Sequence, residues 1–240
     1  RPRESFYYPD IYSCNHGQAE GDLRKGPPES LKKMKKAVIL LSGGMDSAVT
    51  LFIAKKNGFK PYCLTFDYGQ RHKKEILFAK KVAKAAKSEF TLLKIRLPWK
   101  NSALLDKNIK VPENRRFSAG INIPATYVPA RNTIFLSFAL SFAEAIGAKA
   151  VFIGANAIHF SGYPDCRPQY YRIFNELFKK AIKLKDIKII TPLLYKTKED
   201  IVKLGRRLGV NFNLTWSCYK GAKRPCGVCD ACRLRSKGFK

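Results

Sequence analysis

Acidic residues are scarce in this sequence: 18 aspartates and glutamates stand against 46 lysines and arginines, a net charge of +28. Such a surplus favours polyanionic or acidic partners and would promote loose RNA binding, although a strongly basic soluble surface accounts for it equally well. The lysines are spread along the chain with no arginine-rich block, so no obligatory nucleic-acid partner is expected. Long hydrophobic runs are missing too. The longest, residues 134–143, contains Ser137 and Ser141 and stops at Glu144, too short to span a bilayer, so no membrane partner is expected either. The first 36 residues have no apolar core segment, hence no visible signal peptide, and no internal repeat is evident. Residues 1–33 lack any helical or strand period and are rich in polar residues, Pro and Gly. The chain does not begin with Met, whereas Met34 directly precedes the first strand, so residues 1–33 read as a flexible N-terminal extension or tag. Cys14 and His16 within them are too few to build a metal site.

What is present is the material of a globular α/β protein: 240 residues, 45% of them hydrophobic. Residues 37–41 are apolar throughout and suit a strand buried on both faces. Ser42, Gly43 and Gly44 then make a tight turn, and Asp46-Ser47 opens an apolar helix ending near Asn57-Gly58. Such a turn presents backbone N–H groups and the positive end of a helix to a phosphate. Ser42 and Ser47 add hydroxyls, and Asp46 is placed to hold Mg²⁺ against a triphosphate. No Gly-Lys-Ser/Thr follows, which excludes a Walker A loop. Ser-Gly-Gly-x-Asp-Ser instead resembles the PP-loop of the N-type ATP pyrophosphatases, which adenylate a substrate and release pyrophosphate.

Further strands are expected at 61–66, 90–97, 149–154 and 187–190, alternating with helices at 73–87, 133–146, 168–183 and 197–208. The alternation implies a doubly wound, mainly parallel five-stranded sheet with its ligand crevice at the carboxyl ends of the strands. Residues 34–210 would form this ATP-binding α/β domain and 211–240 a small C-terminal zinc-binding subdomain. Arg71 and His72, after the second strand, face the crevice as candidate contacts to phosphate or an acidic substrate, equally well read as surface residues. Residues 99–127 lose periodicity and suggest an excursion over the active-site mouth. Arg131 opposes the dipole of the helix it starts and calls for an anionic partner, as does Lys198 at the first turn of the helix at 197–208. In the helix at 168–183, Ile173, Leu177 and Ile182 are the buried candidates, and the loop before it, ending in Tyr163, Asp165, Cys166 and Arg167, is a candidate for substrate recognition.

Four of the seven cysteines, Cys218, Cys226, Cys229 and Cys232, lie in a C-x7-C-x2-C-x2-C pattern. Four thiolates complete a closed tetrahedral Zn²⁺ site, structural rather than catalytic, with an iron–sulfur cluster as the rival. Such usage points to a reducing compartment, and a cytoplasmic location is expected. The neighbouring Lys220, Lys223, Arg224, Arg233 and Arg235 would either touch nucleic acid or form a solvated basic surface. Cys63 reads as a small core residue mid-strand, and Cys166 lies on the candidate substrate loop.

Together, residues 42–47, the Phe66-Asp-Tyr-Gly-Gln-Arg-His72 run, Val128-Pro-Ala-Arg-Asn132, Phe160-Ser-Gly-Tyr-Pro-Asp-Cys-Arg167 and the four terminal cysteines resemble the 7-cyano-7-deazaguanine synthase (QueC) family over residues 34–240. The resemblance implies an adenine nucleotide alpha hydrolase-like fold and an ATP-dependent carbon–nitrogen ligase. Such an enzyme converts 7-carboxy-7-deazaguanine and ammonia to 7-cyano-7-deazaguanine through an adenylated carboxylate and an amide, on the route to queuosine or archaeosine in tRNA. It implies one structural Zn²⁺ per chain, ATP as co-substrate, Mg²⁺ and a homodimer. Leu41, Ser42, Gly43, Gly44, Met45, Asp46, Ser47, Ala48, Val49, Thr50 and Leu51 would bind the nucleotide. Ser42, Asp46, Ser47, Lys198 and Arg131 would act in catalysis, and Arg71, His72, Arg131, Asn132, Tyr163, Asp165, Cys166 and Arg167 would meet the substrate. Two positions depart from the family pattern: Ala130 replaces a glycine, so the turn there is expected to avoid positive φ, and His159 replaces an aspartate. With no glutaminase segment, ammonia would be free or delivered. A tRNA-thiolating PP-loop enzyme is the rival enzyme class, weakened because only Cys63 and Cys166 remain in the core to carry sulfur. A non-catalytic zinc-bearing RNA-binding protein is the third reading, against which the intact loop speaks.

Overall fold

The computed structural model describes residues 34–115, 123–157, 163–184 and 186–240. Five strands, β1 (Lys35–Leu40), β2 (Phe59–Asp67), β3 (Glu89–Lys94), β4 (Ala150–Ile153) and β5 (Lys188–Ile190), form one sheet in the order β3-β2-β1-β4-β5. All four pairings are parallel. Helices α1 (Met45–Lys56), α2 (Lys74–Ala85), α3 (Arg131–Ala145), α4 (Pro168–Ala181), α5 (Lys198–Arg207) and α6 (Asp230–Gly238), with short 3-10 helices at Pro164–Cys166 and Phe212–Leu214, complete the described elements.

The central strand shows why the sheet is covered on both sides. Side chains alternate along a strand, so Ala37 and Ile39 join the core beneath α1, α2 and α5, while Val38 and Leu40 join the core beneath α3 and α4. An all-apolar strand with helices on both faces is the doubly wound arrangement expected from the sequence. The strand order reverses between β1 and β4, which puts a crevice outside their carboxyl ends. β4 ends there at Gly154, where a Cβ would lie 3.0 Å from the backbone of Asp46 and Ser47, so glycine lets the strand end approach the start of α1.

Two expectations need correction. On α4, Ile173 and Leu177 are 65% and 49% exposed and Ile182 is only partly buried; the buried residues are Tyr171, Phe174 and Phe178. The aromatic side chains occupy the stripe at spacings of three and four, and they fill more volume against the sheet than the aliphatic stripe beside it. Ala130 does adopt positive φ, at +50°. Its amide donates to the Tyr127 hydroxyl (3.0 Å) and its carbonyl accepts from Ile134 (3.1 Å), so local bonds hold the left-handed turn that starts α3 without a glycine. Where it is described, the excursion after β3 is tied to the cysteine segment, Asn114 N–H donating to Val228 O (3.0 Å) and Glu113 bridging Cys229, and at its end to the cavity-lining Tyr163, whose hydroxyl lies 2.8 Å from Thr126 Oγ1. Residues 116–122 and His159 lie outside the described residues.

Residues 34–240 form one compact unit, and the segment from 211 onward packs into it, α6 lying against α5. Trp216 N–H donates to the Gly43 carbonyl (2.8 Å), tying the cysteine segment to the glycine turn after β1.

Candidate active site

The turn between β1 and α1 is held by its own side chains. Ser42 and Ser47 hydroxyls lie 3.1 Å apart, Gly44 N–H donates to Ser42 Oγ (3.2 Å), and Ser47 Oγ donates to the Gly44 carbonyl (3.1 Å). Gly43, at φ +83°, presses on α2 so closely that a Cβ would collide with the Glu75 carbonyl and lie 2.7 Å from the Ala79 amide. No side chain caps α1, whose N-cap is Gly44, so its first-turn N–H groups are available to an anion.

A cavity of 320 Å³ opens over this turn. Leu41, Ser42, Gly44, Met45, Asp46 and Ser47 line it, together with Lys198 from the first turn of α5. Lys198 Nζ donates to Asp46 Oδ2 at 2.5 Å, the pair being 9% and 25% exposed. The other carboxylate oxygen, Asp46 Oδ1, is buried with no hydrogen-bond partner among the described residues. A buried carboxylate oxygen without a donor suits a hard cation, so Asp46 fits Mg²⁺.

The far wall carries Arg131. Its Nη1 donates to the Tyr68 hydroxyl (3.1 Å), and its guanidinium lies 5.9 Å from the Tyr68 ring centre. Burial pushes the Tyr68 phenol up to about 12 and raises those of Tyr163 and Tyr219, so these neighbours are neutral at physiological pH. Asp165 lies outside ion-pair distance and gives Oδ2 to the Asn132 N–H (3.0 Å). Among the described residues, no carboxylate lies within ion-pair distance of Arg131, an arrangement able to receive an anion.

The remaining sequence candidates divide. His72, Asn132, Tyr163 and Cys166 line the cavity. His72 is buried against Glu75 (Nε2–Oε2 3.0 Å), Tyr163 shares a hydrogen bond with Thr126 (2.8 Å), and the Asn132 amide donates to Cys166 Sγ (3.6 Å). Arg71 is turned away: its Nη2 donates to the carbonyls of Asp106 (2.8 Å) and Ile109 (3.2 Å), securing the excursion after β3. Asp165 is buried and staples the start of α3, and burial holds its carboxyl above the usual carboxylate range. Arg167 is exposed outside the cavity as the N-cap of α4. Ala48, Val49 and Leu51 are core residues, and Thr50 bonds the Asp46 carbonyl (2.9 Å), so these four support the turn from behind.

Sequence reasoning missed the opposite wall. Trp216, Ser217, Tyr219 and Arg235 reach the cavity from the cysteine segment, joined by Tyr68, Glu75, Phe135 and Asn156. Only the Tyr68-Gly-Gln run beside Arg71 carried a signal for any of them.

The Sγ atoms of Cys218, Cys226, Cys229 and Cys232 all lie within 4.8 Å of one another. Burial would raise the Cys226 thiol, but the amides of Cys229 and Val228 outweigh it and bring the thiol down to about 7. Four converging sulfurs form a closed donor set that fits one tetrahedral metal. Cys63 is fully buried in β2, its thiol pushed up to about 12 by burial, as a small core residue. The basic residues here are partly engaged: Lys220 pairs with Glu113, and Arg233 donates to the Arg115 carbonyl (2.5 Å).

The family model described as queuosine biosynthesis protein QueC matches residues 36–240. A relative from Picrophilus torridus named 7-cyano-7-deazaguanine synthase is 53% identical over 209 residues, covering 86% of this chain and 87% of its own. One of the same name from Nostoc sp. is 51% identical over 212 residues, covering 85% of this chain and 92% of its own. Among solved structures, the NMN synthetase of Francisella tularensis is similar at 18% identity and a TM-score of 0.46, over 81% of this chain and 71% of that one.

Proposed function

The chain belongs to the QueC family, and on that premise we propose that it makes 7-cyano-7-deazaguanine from 7-carboxy-7-deazaguanine, ammonia and ATP. The observation that carries the reading is one cavity joining an uncapped helix start, at residues 42–47, to Arg131, which has no carboxylate partner among the described residues. One end suits a polyphosphate and the other a carboxylate, the two groups that the first step must bring together.

A carboxylate is a poor electrophile. Its oxygen attacks the α-phosphorus of ATP, the bond to the bridging oxygen breaks, and pyrophosphate leaves, giving an acyl-adenylate. Ammonia attacks the acyl carbon, a proton is lost, and AMP departs to leave the amide. The amide oxygen then attacks the α-phosphorus of a second ATP, pyrophosphate leaves, and the carbon–oxygen bond breaks as AMP departs with two protons lost from nitrogen, leaving the nitrile. The protein's part is positioning and charge neutralisation. The N–H groups at the start of α1, with Ser42 and Ser47, hold the leaving pyrophosphate, and Lys198 is the cation beside it. Arg131 binds the substrate carboxylate, while Asn132, Tyr163 and the neighbouring phenols frame the deazapurine. Asp46 would hold Mg²⁺, which when bound neutralises polyphosphate charge. Cys218, Cys226, Cys229 and Cys232 would hold Zn²⁺, which when bound fixes the segment that forms the second wall.

We further infer a homodimer in the cytoplasm, where reduced thiols persist. Among the described residues, no helix is long and apolar enough to cross a membrane. The test is incubation of the purified protein with ATP, Mg²⁺, an ammonium salt and 7-carboxy-7-deazaguanine, with products read by mass spectrometry. A nitrile with AMP and pyrophosphate is expected. ADP and phosphate would overturn the adenylate, and no nitrile from a metal-replete sample would overturn the synthase itself.

A further inference from the structure

Arg235 has no part in the reaction as derived above, yet it lines the cavity that also contains Ser42, Gly44, Asp46, Ser47 and Lys198. It stands on α6, three residues beyond Cys232. Its guanidinium is aimed by neutral oxygens: Nη1 donates to Thr215 Oγ1 (2.7 Å) and Ser217 Oγ (3.4 Å), and Nη2 to the Phe212 carbonyl (2.8 Å). The Phe239 ring supports it at 5.4 Å. Among the described residues no carboxylate lies within ion-pair distance of it, whereas the other cation at the turn, Lys198, is paired with Asp46.

Neutral acceptors orient a guanidinium without balancing its charge, and the bonds made leave the Nε–H and one Nη2–H for a ligand. Those two donors form the fork that matches two oxygens of one phosphate. We propose that Arg235 is a phosphate-binding residue, which holds the pyrophosphate end of ATP against residues 42–47 from the cysteine-bearing wall. This rests on the ATP-dependent reading above and adds to it a role for the C-terminal segment. The segment supplies a ligand to the nucleotide, and the backbone bond from Trp216 to Gly43 sets its distance from the turn.

The test is titration calorimetry of the metal-replete protein with inorganic pyrophosphate and with ATP, both with Mg²⁺. Arg235→Met keeps the stem against Phe239 and removes the charge, and Arg235→Lys restores the charge without the fork. Arg235→Met should raise the pyrophosphate Kd about tenfold or more, with Arg235→Lys recovering only part. The KM for 7-carboxy-7-deazaguanine and the metal content should stay at wild-type values. A pyrophosphate Kd unchanged in Arg235→Met, with only the melting temperature lowered, would make Arg235 a staple and overturn the proposal. So would loss of binding that tracks loss of metal. If wild-type protein binds neither pyrophosphate nor ATP, the proposal falls together with the ATP-dependent reading; if wild type binds and both variants bind equally well, it falls alone.

Discussion

Gly43 and Ala130 both sit at positive φ, with opposite consequences. At Gly43 the space is closed as well, because the Glu75 carbonyl and Ala79 amide occupy the place of a Cβ. Gly43→Ala should cost at least about 2 kcal/mol and abolish nucleotide binding, read by thermal denaturation and by titration with ATP. At Ala130 the left-handed turn is held against its own preference, so Ala130→Gly should stabilise by up to about 1 kcal/mol and raise Tm by about 2–4 °C. An unchanged or lowered Tm would mean that the bonds to Tyr127 and Ile134 leave no strain to relieve. Arg131 separates the two halves of the reaction. Arg131→Met should raise the KM for 7-carboxy-7-deazaguanine about tenfold to a hundredfold and leave pyrophosphate affinity near wild type, as separate titrations would show. These roles differ in legibility. The glycine turn could be read from residue type, because a Ser-Gly-Gly turn after a buried strand has few other uses. That Arg131 meets the phenols of Tyr68, Tyr163 and Tyr219 could not be read, because they come from the turn after β2, the loop at 163 and the cysteine segment.

The starts of two helices carry most of the site, and they are built differently. α1 begins at Gly44 with no side-chain cap, which keeps its N–H groups for a ligand. α5 begins with a full capping box, in which Thr197 Oγ1 accepts from Asp200 N–H (3.1 Å) and the Asp200 carboxylate accepts from Thr197 N–H (3.1 Å). The closed cap fixes the turn that delivers Lys198 to Asp46. Thr197→Ala should therefore cost about 1 kcal/mol, a Tm loss of about 2–4 °C. It should also slow turnover by loosening the lysine; unaltered kcat at lowered Tm would show that Lys198 does not depend on the cap. The five strands and helices α1 to α5 were legible within a few residues, because the sheet's two-sided burial writes short apolar runs between helical periods; α6, inside the cysteine segment, was not. Nor was the buried face of α4. Ile173 and Leu177 have the same spacing as Phe174 and Phe178, and a helical period cannot say which of two apolar stripes meets the sheet.

At the scale of the molecule, the cysteine segment is a wall of the active cavity. Removing its metal with a chelator should lower Tm and also weaken pyrophosphate binding, because Trp216 and Arg235 lose their anchor. Titration of chelated and reconstituted protein checks this: full pyrophosphate affinity in metal-free protein would detach the segment from the site. Of the basic residues around the cysteines, Lys220, Arg233 and Arg235 all bond other groups of the protein. By itself the sequence determined the α/β class, the glycine turn between β1 and α1 and the thiolate cluster, since each is set by neighbours close along the chain: a buried strand feeding two glycines, or sulfurs two residues apart. Only the tertiary structure decided which cations face the cavity. Arg71 is bound to carbonyls 35 and 38 residues away, and Arg235 is brought to a turn nearly two hundred residues before it. Whether a charge is balanced depends on what the fold places beside it, and local spacing holds no record of that.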